Sequence, residues 1–236
     1  MVDILAFGAH PDDIEIGCGG TLIKLHEAGY SLALVDLTRG EMGTRGNAET
    51  RRLEAEAASS LVGAEARLNL GLPDGVLDSS PEAKRQIVRA VRRFRPRIAL
   101  LPFWEDRHPD HAHASSLVYD ALFLSGLPRY ETGQTAHRPI QLLHYMGWQE
   151  FAPTFIVDIS SQFERKMESI FAYKTQFLAD ASDDPETHLT AAATHRKMKA
   201  RMAYFGSLIG VRYGEGFLIR GHLAVEDPLI LSFRSF

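Results

Sequence analysis

The chain has 236 residues, of which 45% are hydrophobic and 24% charged, a composition typical of a globular protein with a sizeable core. The formal net charge of -4 gives no electrostatic case for binding nucleic acid or an anionic membrane surface. The single cysteine excludes an intrachain disulfide, and we find neither a secretory signal nor a run that could span a bilayer. We therefore expect one cytoplasmic α/β domain over residues 1–236.

Strand and helix patterns alternate along the chain, which predicts a three-layer, Rossmann-like α/β fold with a mostly parallel sheet flanked by helices. The predicted strands cover residues 2–7, 31–37, 67–70, 98–102, 140–146 and 155–159. Helices are predicted over residues 21–28, 49–62 and 112–124, from 81 to before 96, from 162 onwards, and up to about 205. The tail after that point has no pattern that assigns it to an element.

The helix over residues 49–62 has clear end signals. Asn47 is a favoured N-cap, and Gly63 tolerates the left-handed conformation in which many helices end. Leu53, Ala57 and Leu61 are spaced four apart, so we expect them to share one buried face.

Polar side chains follow two of the predicted strands at the point where each strand ends. His10, Asp12 and Asp13 come after the first strand, and His108 and His111 come after the fourth. In a doubly wound sheet, the first and fourth strands are commonly neighbours, and a crevice opens at their carboxyl ends. The strand order therefore predicts that the two turns face each other.

These side chains suit a divalent metal. Catalytic zinc takes three nitrogen or oxygen ligands and leaves one position for water. His10, Asp13 and His111 form a plausible set, with Asp12 left over to take a proton from water activated by the metal. Asp12 could instead act only as a helix N-cap, and that alternative stays open.

In this hypothesis, His108 and Asp110 have an electrostatic role. His108 lies one helical turn before His111, so the two would face the same side. Asp110 could hold His108 as a cation, and the cation would stabilise the oxyanion formed when hydroxide attacks a carbonyl. The alternative for Asp110 is favourable interaction with the helix dipole.

The stretches Ala9-His10-Pro11-Asp12-Asp13 and His108-Pro109-Asp110-His111 resemble the PIG-L/LmbE-like zinc-dependent N-acetylglucosamine deacetylases. Further stretches look like the bacillithiol-pathway branch, whose members remove acetyl from N-acetylglucosaminyl malate. These stretches are residues 36–43, 70–74, 155–160 and 210–217.

The resemblance implies that His10, Asp13 and His111 are the metal ligands and Asp12 the general base. It implies His108 as the electrostatic partner and Asp110 as its orienter. Zinc is the expected cofactor, and iron(II) would also suit these ligands. A small amino-sugar conjugate is the expected substrate, and the resemblance suggests a homo-oligomer, for example a hexamer.

Residues on or after the loop that follows the second strand are candidates for substrate binding. Arg51 matches an arginine that family members place in the substrate pocket. Malate carries two carboxylates, and Arg39, Arg45 and Arg51 lie at the same sheet edge. Glu41, in the same loop, completes the predicted set of Arg51, Arg45 and Glu41.

A few aromatic residues remain unassigned. Some relatives use a tyrosine near the reacting carbonyl, but neither Tyr204 nor Tyr213 aligns with it, so both stay outside the predicted site. His144 lies on a predicted strand and is either core or pocket.

Three other functions compete with this interpretation. In a dinucleotide-binding domain Asp36 would bind ribose, but the first turn lacks the G-x-G-x-x-G pattern and its carboxylates would repel a pyrophosphate. A metal-dependent phosphoesterase could use the same centre, although such enzymes more often hold two metals. A non-catalytic relative is disfavoured by the intact set of acid, base and ligands.

Overall fold

The computed structural model describes residues 1–227 and 229, and within them the chain forms one mixed sheet of seven strands. The strands are β1 (Ile4–Gly8), β2 (Leu32–Thr38), β3 (Ala66–Leu72), β4 (Ile98–Pro102), β5 (Gln141–Tyr145), β6 (Phe155–Asp158) and β7 (Gly214–Leu218). Their spatial order is β3-β2-β1-β4-β5-β7-β6. The strands from β3 to β5 pair in parallel, whereas β7 is antiparallel to both β5 and β6. The predicted mostly parallel sheet is therefore confirmed.

Helices cover both faces of the sheet. They are α1 (Asp13–Glu27), α2 (Ala48–Val62), α3 (Pro81–Phe94), α4 (Pro109–Ser125), α5 (Phe163–Phe171), α6 (Lys174–Phe177) and α7 (Ala192–Leu208). Alternate residues of a strand point to opposite faces. Leu5 and Phe7 of β1 accordingly pack in the core that contains α3 and α4, while Ile4 and Ala6 pack in the core that contains α1. None of the helices in the described ranges is long and apolar enough to cross a bilayer.

The sheet order places the two polar turns side by side. β1 pairs directly with β4, with Ile4 opposite Ile98 and Ala6 opposite Leu100. Because the two strands are parallel, both end at the same edge, where α1 and α4 begin. The prediction that the first and fourth strands are neighbours is confirmed.

α1 begins at Asp13, well before the predicted start at residue 21. The glycines that suggested a loop lie inside the helix, where its neighbours leave no room for side chains. A Cβ atom on Gly17 would lie 2.2 Å from the Tyr145 ring, and one on Gly20 would lie 2.8 Å from Ile159. The predicted start was wrong because close packing, and not helix propensity, selects glycine here.

α2 has the predicted ends but a different buried face. The Asn47 side chain accepts hydrogen bonds from backbone N–H groups of the first turn, and Gly63 ends the helix in the left-handed conformation. Leu53, predicted to be buried, is 52% exposed, whereas Ala58 and Val62 are fully buried. The small side chain of Ala58 lets α2 lie close to its neighbours, which explains why the leucine spacing indicated the wrong face.

β7 was not predicted, because two glycines interrupt its strand pattern. The residue between them, Glu215, is buried and forms an ion pair with the buried Lys166 of α5. Its carboxylate also accepts hydrogen bonds from the backbone N–H groups of Gly20 (2.9 Å) and Thr21 (2.7 Å) in α1. Lys166 donates a further hydrogen bond of 2.8 Å to the carbonyl of Ile16. This ion pair ties α1, α5 and β7 together.

Candidate metal centre and active site

The turn between β1 and α1 brings three polar side chains to the carboxyl edge of the sheet. Asp13 opens α1, and its Oδ2 accepts a hydrogen bond of 2.8 Å from the backbone N–H of His10. Asp12 has a φ of 116°, a left-handed conformation that is rare and strained for a residue with a side chain. Its carboxylate makes no capping hydrogen bond to α1. The geometry therefore disfavours the alternative in which Asp12 is only a helix cap.

The turn between β4 and α4 supplies two histidines. α4 begins at Pro109, earlier than predicted, because His108 is the N-cap and proline occupies the first turn. The Nε2 atom of His111 lies 3.1 Å from Oδ1 of Asp13. Its other ring nitrogen, Nδ1, lies 3.2 Å from Oδ1 of Asp106. Sequence reasoning missed Asp106 because it lies in an irregular loop outside the motif.

His10 has a matching environment on the other side of Asp13. Its Nδ1 lies 3.5 Å from Asp13 Oδ2, and its Nε2 lies 2.9 Å from Oδ1 of Asp74. Asp74 comes from the loop after β3, and its Oδ2 accepts a hydrogen bond of 2.8 Å from the backbone N–H of Met42. Each histidine thus meets Asp13 through one ring nitrogen and a second carboxylate through the other. Such second carboxylates orient histidines that bind metals.

Asp13 lies in contact with both histidines that were predicted as metal ligands. Ligand atoms about 2.0–2.1 Å from a tetrahedral ion lie about 3.3 Å from one another. The Asp13 oxygens lie 3.5 Å from a His10 nitrogen and 3.1 Å from a His111 nitrogen. Two groups around His10 have ligand atoms within 4.8 Å of one another: His10 with His108 and His111, and His10 with Asp74 and Asp110. The nitrogen and oxygen donors of His10, Asp13 and His111 are of the types that zinc takes.

The electrostatics of the centre favour positive charge. Burial by itself lowers the pKa of His111, but the Asp13 and Asp106 carboxylates outweigh burial and raise the pKa to about 10. The pKa of His10 is held well above its usual range, also against burial, by hydrogen bonds to the surrounding carboxylates. A divalent cation between the two rings would satisfy the same carboxylates.

Asp12 and Arg51 form a buried pair beside this centre. Burial raises the pKa of the Asp12 carboxyl to about 7, although the Arg51 guanidinium lowers it. Nη2 of Arg51 donates to the Pro11 carbonyl (2.5 Å) and to Asp12 Oδ2 (3.3 Å), while Nη1 donates to the Gly40 carbonyl (3.2 Å). Only 5% of Arg51 is exposed. Arg51 therefore holds the strained turn through contacts within the chain.

Asp110 does not hold His108 as a cation, contrary to the prediction. Its carboxylate accepts hydrogen bonds from the backbone N–H groups of Gly75 (2.7 Å) and Leu77 (3.3 Å). Nδ1 of His108 accepts a hydrogen bond of 3.3 Å from the backbone N–H of Asp110, so that nitrogen carries no proton. Burial, the largest cause, lowers the pKa of His108. His108 is therefore a neutral imidazole with its proton on Nε2, and Asp110 orients it through its backbone.

Arg45 does not face the substrate pocket, so the prediction that it binds substrate was wrong. It is 1% exposed, and its guanidinium donors are used by carbonyl oxygens of the segment after α5. These carbonyls belong to Thr175, Leu178, Ala179, Asp184 and Pro185. Glu41 is exposed and accepts a hydrogen bond of 3.1 Å from the backbone N–H of Asp74. Glu41 therefore supports the Asp74 loop and does not line the pocket.

A cavity of about 280 Å³ opens above the two turns. Its floor contains His10, Asp12, Asp13, Arg51, Asp74, His108 and His111. Its outer wall contains Arg107, Trp148, Gln176, Thr187, His188 and Leu189. Larger cavities lie beside α4 and beside α2, but the smaller one holds the His–Asp centre. Sequence reasoning missed Trp148, Thr187, His188 and Leu189 because they lie in irregular segments far from the two turns.

Three aromatic residues that the sequence left unassigned lie away from this cavity. His144 is buried, and its Nδ1 donates a hydrogen bond of 3.0 Å to the carbonyl of Pro102. Tyr213 is buried and stacks on Phe163 at a ring distance of 3.7 Å. Tyr204 is 58% exposed. None of the three lines the pocket.

Comparison with known proteins shows the family of the chain. Residues 5–122, which contain the whole floor of the cavity, match the family described as PIG-L, GlcNAc-PI de-N-acetylase. Diacetylchitobiose deacetylase of Thermococcus kodakarensis is 32% identical over 90% of this chain and 81% of its own length.

Two solved structures share the fold over nearly the full chain. The conserved protein TT1542 from Thermus thermophilus has a TM-score of 0.87 and 38% identity, covering 96% of this chain and 98% of its own. N,N'-diacetylchitobiose deacetylase from Pyrococcus horikoshii, solved with its inhibitor MPG, has a TM-score of 0.82 and 27% identity, covering 97% and 88%.

The α/β fold, the His–Asp centre and the deacetylase relatives together define a hydrolase that acts on amides. The chain belongs to the PIG-L family of de-N-acetylases. The family resemblance and the prediction of a hydrolase are both confirmed.

Proposed function

We propose that this enzyme is a metal-dependent N-deacetylase that hydrolyses the acetamide of an N-acetylglucosamine conjugate. The observation that carries the proposal is that Asp13 contacts both His10 and His111 beside the buried carboxyl of Asp12. A divalent metal held by these three residues would polarise the acetamide carbonyl and lower the pKa of a bound water molecule. We propose zinc, because three nitrogen and oxygen ligands leave a position open for water. Iron(II) would also suit the set.

Asp12 moves the protons of this reaction. Its carboxylate takes a proton from the attacking water, whose oxygen bonds to the acetyl carbon. The same proton then passes to the sugar nitrogen as the C–N bond breaks, which yields acetate and the free amine. A pKa near 7 allows Asp12 to accept and return a proton near neutral pH. Arg51 acts through Asp12: its contacts with Pro11 and Asp12 hold the base in place.

His108 supports the developing charge. Its Nε2–H is free to donate a hydrogen bond to the oxyanion that forms as water adds to the carbonyl. This hydrogen bond does not require His108 to be a cation. Asp74 and Asp106 orient the rings of His10 and His111 through the nitrogens that face away from Asp13.

For the substrate we propose N-acetylglucosaminyl malate, the conjugate deacetylated in bacillithiol biosynthesis. Support comes from the stretches at residues 36–43, 70–74, 155–160 and 210–217, which resemble that branch. Other relatives are described as acting on diacetylchitobiose, on mycothiol S-conjugates and on inositol-linked N-acetylglucosamine. Diacetylchitobiose and the inositol conjugate share an N-acetylated amino sugar and differ in the group attached to it, so the attached group is the part to be tested.

We also propose that residues 1–236 form a single domain that works in the cytoplasm as a homo-oligomer. The single domain is supported by β7, which comes late in the chain yet pairs with β5 and β6 in the same sheet. Exposed apolar side chains such as Phe123 and Ile140, 56% and 82% exposed, support association between copies.

The competing functions have less support. Asp36 would have to be free to bind ribose in a dinucleotide-binding domain, but Arg67 occupies both of its oxygens at 2.7 Å. A two-metal phosphoesterase would need a second ion, for which His10, Asp74 and Asp110 are the nearest group. Metal stoichiometry near two per chain would favour the phosphoesterase, and we expect one.

The test is acetate release by the zinc-loaded enzyme from N-acetylglucosaminyl malate, N,N'-diacetylchitobiose and free N-acetylglucosamine. A phosphodiester such as bis-p-nitrophenyl phosphate serves as the control for the alternative chemistry. We expect acetate from at least one conjugate, highest kcat/KM on the malate conjugate, and no phosphodiester turnover. Phosphodiester hydrolysis without acetate release would overturn the proposal.

A further inference from the structure

The outer wall and the floor of the active-site cavity come partly from different regions of the chain. The floor lies within the part of the chain that matches the family, residues 5–122. Arg107 of the wall also lies within that part, whereas Trp148 and His188 lie beyond it and come from two separate segments. Segments outside the shared region are where enzymes with the same chemistry can differ in the substrates they accept.

The wall is fixed to the metal centre through Asp106. Oδ2 of this carboxylate accepts a hydrogen bond of 2.7 Å from the backbone N–H of Trp148, while Oδ1 lies 3.2 Å from His111 Nδ1. A Cβ atom on Gly147 would lie 2.4 Å from Asp106 Oδ2, so only glycine allows this approach. Arg201 donates a hydrogen bond to the Gly147 carbonyl from the other side. The position of Trp148 relative to the reacting centre is therefore held by the fold.

Arg107 supplies the charge of the wall. Its guanidinium lies over the Trp148 ring at 4.9 Å from the centroid, a cation–π contact that restrains an otherwise exposed side chain. Among residues 1–227 and 229, no carboxylate lies within 4.0 Å of it. The adjacent Asp106 is engaged by His111 and Trp148. Arg107 thus presents a cation without an anionic partner at the mouth of the cavity.

The arginines that were predicted from the sequence to bind an acidic substrate are not available at the mouth of the cavity. Arg45 donates to buried carbonyls, and Arg51 donates to Pro11, Asp12 and Gly40. Arg39 lines a different cavity, beside α2. Two arginines line the active-site cavity in the described part of the chain, Arg51 and Arg107, and Arg51 is paired with Asp12 while Arg107 has no carboxylate partner.

We propose that Arg107 and Trp148, with His188 beside them, form a subsite for the group linked to the sugar, and that this subsite selects a group carrying a carboxylate. This inference rests on the proposed function, since it concerns the conjugate whose acetamide is hydrolysed. The guanidinium binds the carboxylate, because planar arginine donors match carboxylate oxygens. The Trp148 ring keeps the guanidinium in place and presents an apolar edge to the rest of the group. His188 meets the Trp148 ring edge to face at 5.7 Å and closes the wall.

The experiment compares kcat/KM on N-acetylglucosaminyl malate with kcat/KM on methyl N-acetylglucosaminide and on N,N'-diacetylchitobiose. Arg107→Gln should lower kcat/KM on the malate conjugate about 10- to 100-fold, mainly through KM, because one charge-assisted contact is lost. On the two neutral substrates the loss should stay within about threefold. Arg138→Gln is the matched control, since Arg138 also stacks on an aromatic ring, that of Phe123, but far from the cavity. It should change none of the ratios.

Three outcomes would overturn the subsite. The unsubstituted enzyme could show no preference for the acidic conjugate while it releases acetate from the neutral ones, which leaves the proposed function intact. Arg107→Gln could lower kcat/KM equally on all three substrates, which would indicate a structural role. Trp148→Ala could impair the chitobiose reaction while Arg107→Gln leaves malate turnover unchanged, which would indicate an aromatic platform for a second sugar. Absence of acetate from every substrate would overturn the proposed function and this inference together.

Discussion

Two of the buried groups of charges that contact α1 are compensated in different ways. The Glu215 carboxylate is paired with Lys166 and accepts two backbone N–H groups, so its charge and its lone pairs are satisfied. At the other group, the carboxylates of Asp12, Asp13, Asp74, Asp106 and Asp110 surround His10 and His111. In the described part of the chain, Arg51 is the only lysine or arginine that forms a salt bridge with any of them.

This difference distinguishes a structural group of charges from a functional one. A buried ion pair with complete hydrogen bonding needs no further ligand, and breaking it costs stability. A group of carboxylates with too few cations is stable only if protons or a metal ion balance it, and the raised pKa of His111 expresses that demand. The strained backbone of Asp12 lies in the second group, as expected where the fold maintains a reactive geometry.

The largest effect is expected for Asp12→Asn. The substitution keeps the shape of the side chain but removes the proton acceptor, so kcat should fall about 10²- to 10⁴-fold. Metal content should stay close to that of the unsubstituted enzyme, because Asp12 is not a ligand. Steady-state kinetics and metal analysis of the purified variant check both parts. A kcat within about tenfold of the unsubstituted enzyme would rule out Asp12 as the base.

Lys166→Met should show the opposite pattern. It leaves Glu215 buried without its cation, and the expected cost is about 3–5 kcal/mol in the free energy of unfolding. Turnover per folded molecule should change little. Lys84→Met removes a pair with Asp120 near the surface and should cost at most about 1 kcal/mol. Both free energies of unfolding can be measured by urea denaturation. Equal losses in the two variants would contradict this prediction.

Gly40→Ala tests whether Arg51 positions Asp12. A Cβ atom on Gly40 would lie 2.0 Å from Arg51 Nη1, so alanine must displace the guanidinium. We expect kcat to fall about 10- to 100-fold with KM within about threefold, as for loss of one positioning contact. Arg51→Gln should behave alike, and the double variant should be no worse than either single one.

Gly29→Ala is the control for backbone strain. Gly29 has a similar positive φ of 89°, but nothing lies within 4 Å of a Cβ atom there. It should lose some stability and keep its kcat. A raised KM in Arg51→Gln with kcat unchanged would show that Arg51 binds substrate instead.

The smallest effect concerns pH. Burial lowers the pKa of His144 to about 4, whereas an unfolded chain has a histidine pKa of about 6.5. Below pH 6.5 the unfolded state therefore binds a proton that the folded state does not, so stability is full above pH 6.5 and falls as the pH drops toward 4. We expect His144 to account for about 1–2 kcal/mol of the stability lost between pH 7.5 and pH 5. His144→Gln should lose that much less over this interval, and an identical pH dependence in both proteins would contradict the assignment.

The sequence was sufficient for the parts of the site that depend on topology. The alternation of elements led to the strand order, and the strand order placed the turn of His10 and Asp13 beside that of His111. These side chains follow directly from where β1 and β4 end, so no loop geometry was needed to find them.

The parts of the site that were not predicted from the sequence depend on contacts between segments far apart in the chain. Asp74 and Asp106 meet the two histidines only because irregular loops bring them there. Arg45 and Arg51 look alike in sequence, and only the fold shows that Arg45 binds buried carbonyls while Arg51 reaches Asp12. Gly17 looked like a loop residue because the Tyr145 ring that requires it is distant in the chain.

An anomalous difference map of the zinc-loaded crystal, measured at the zinc absorption edge, shows which side chains bind the metal. We expect a single peak about 2.0–2.2 Å from a ring nitrogen of His10, an oxygen of Asp13 and Nε2 of His111. A peak held by His10, Asp74 and Asp110, with Asp13 and His111 out of bonding distance, would contradict this expectation.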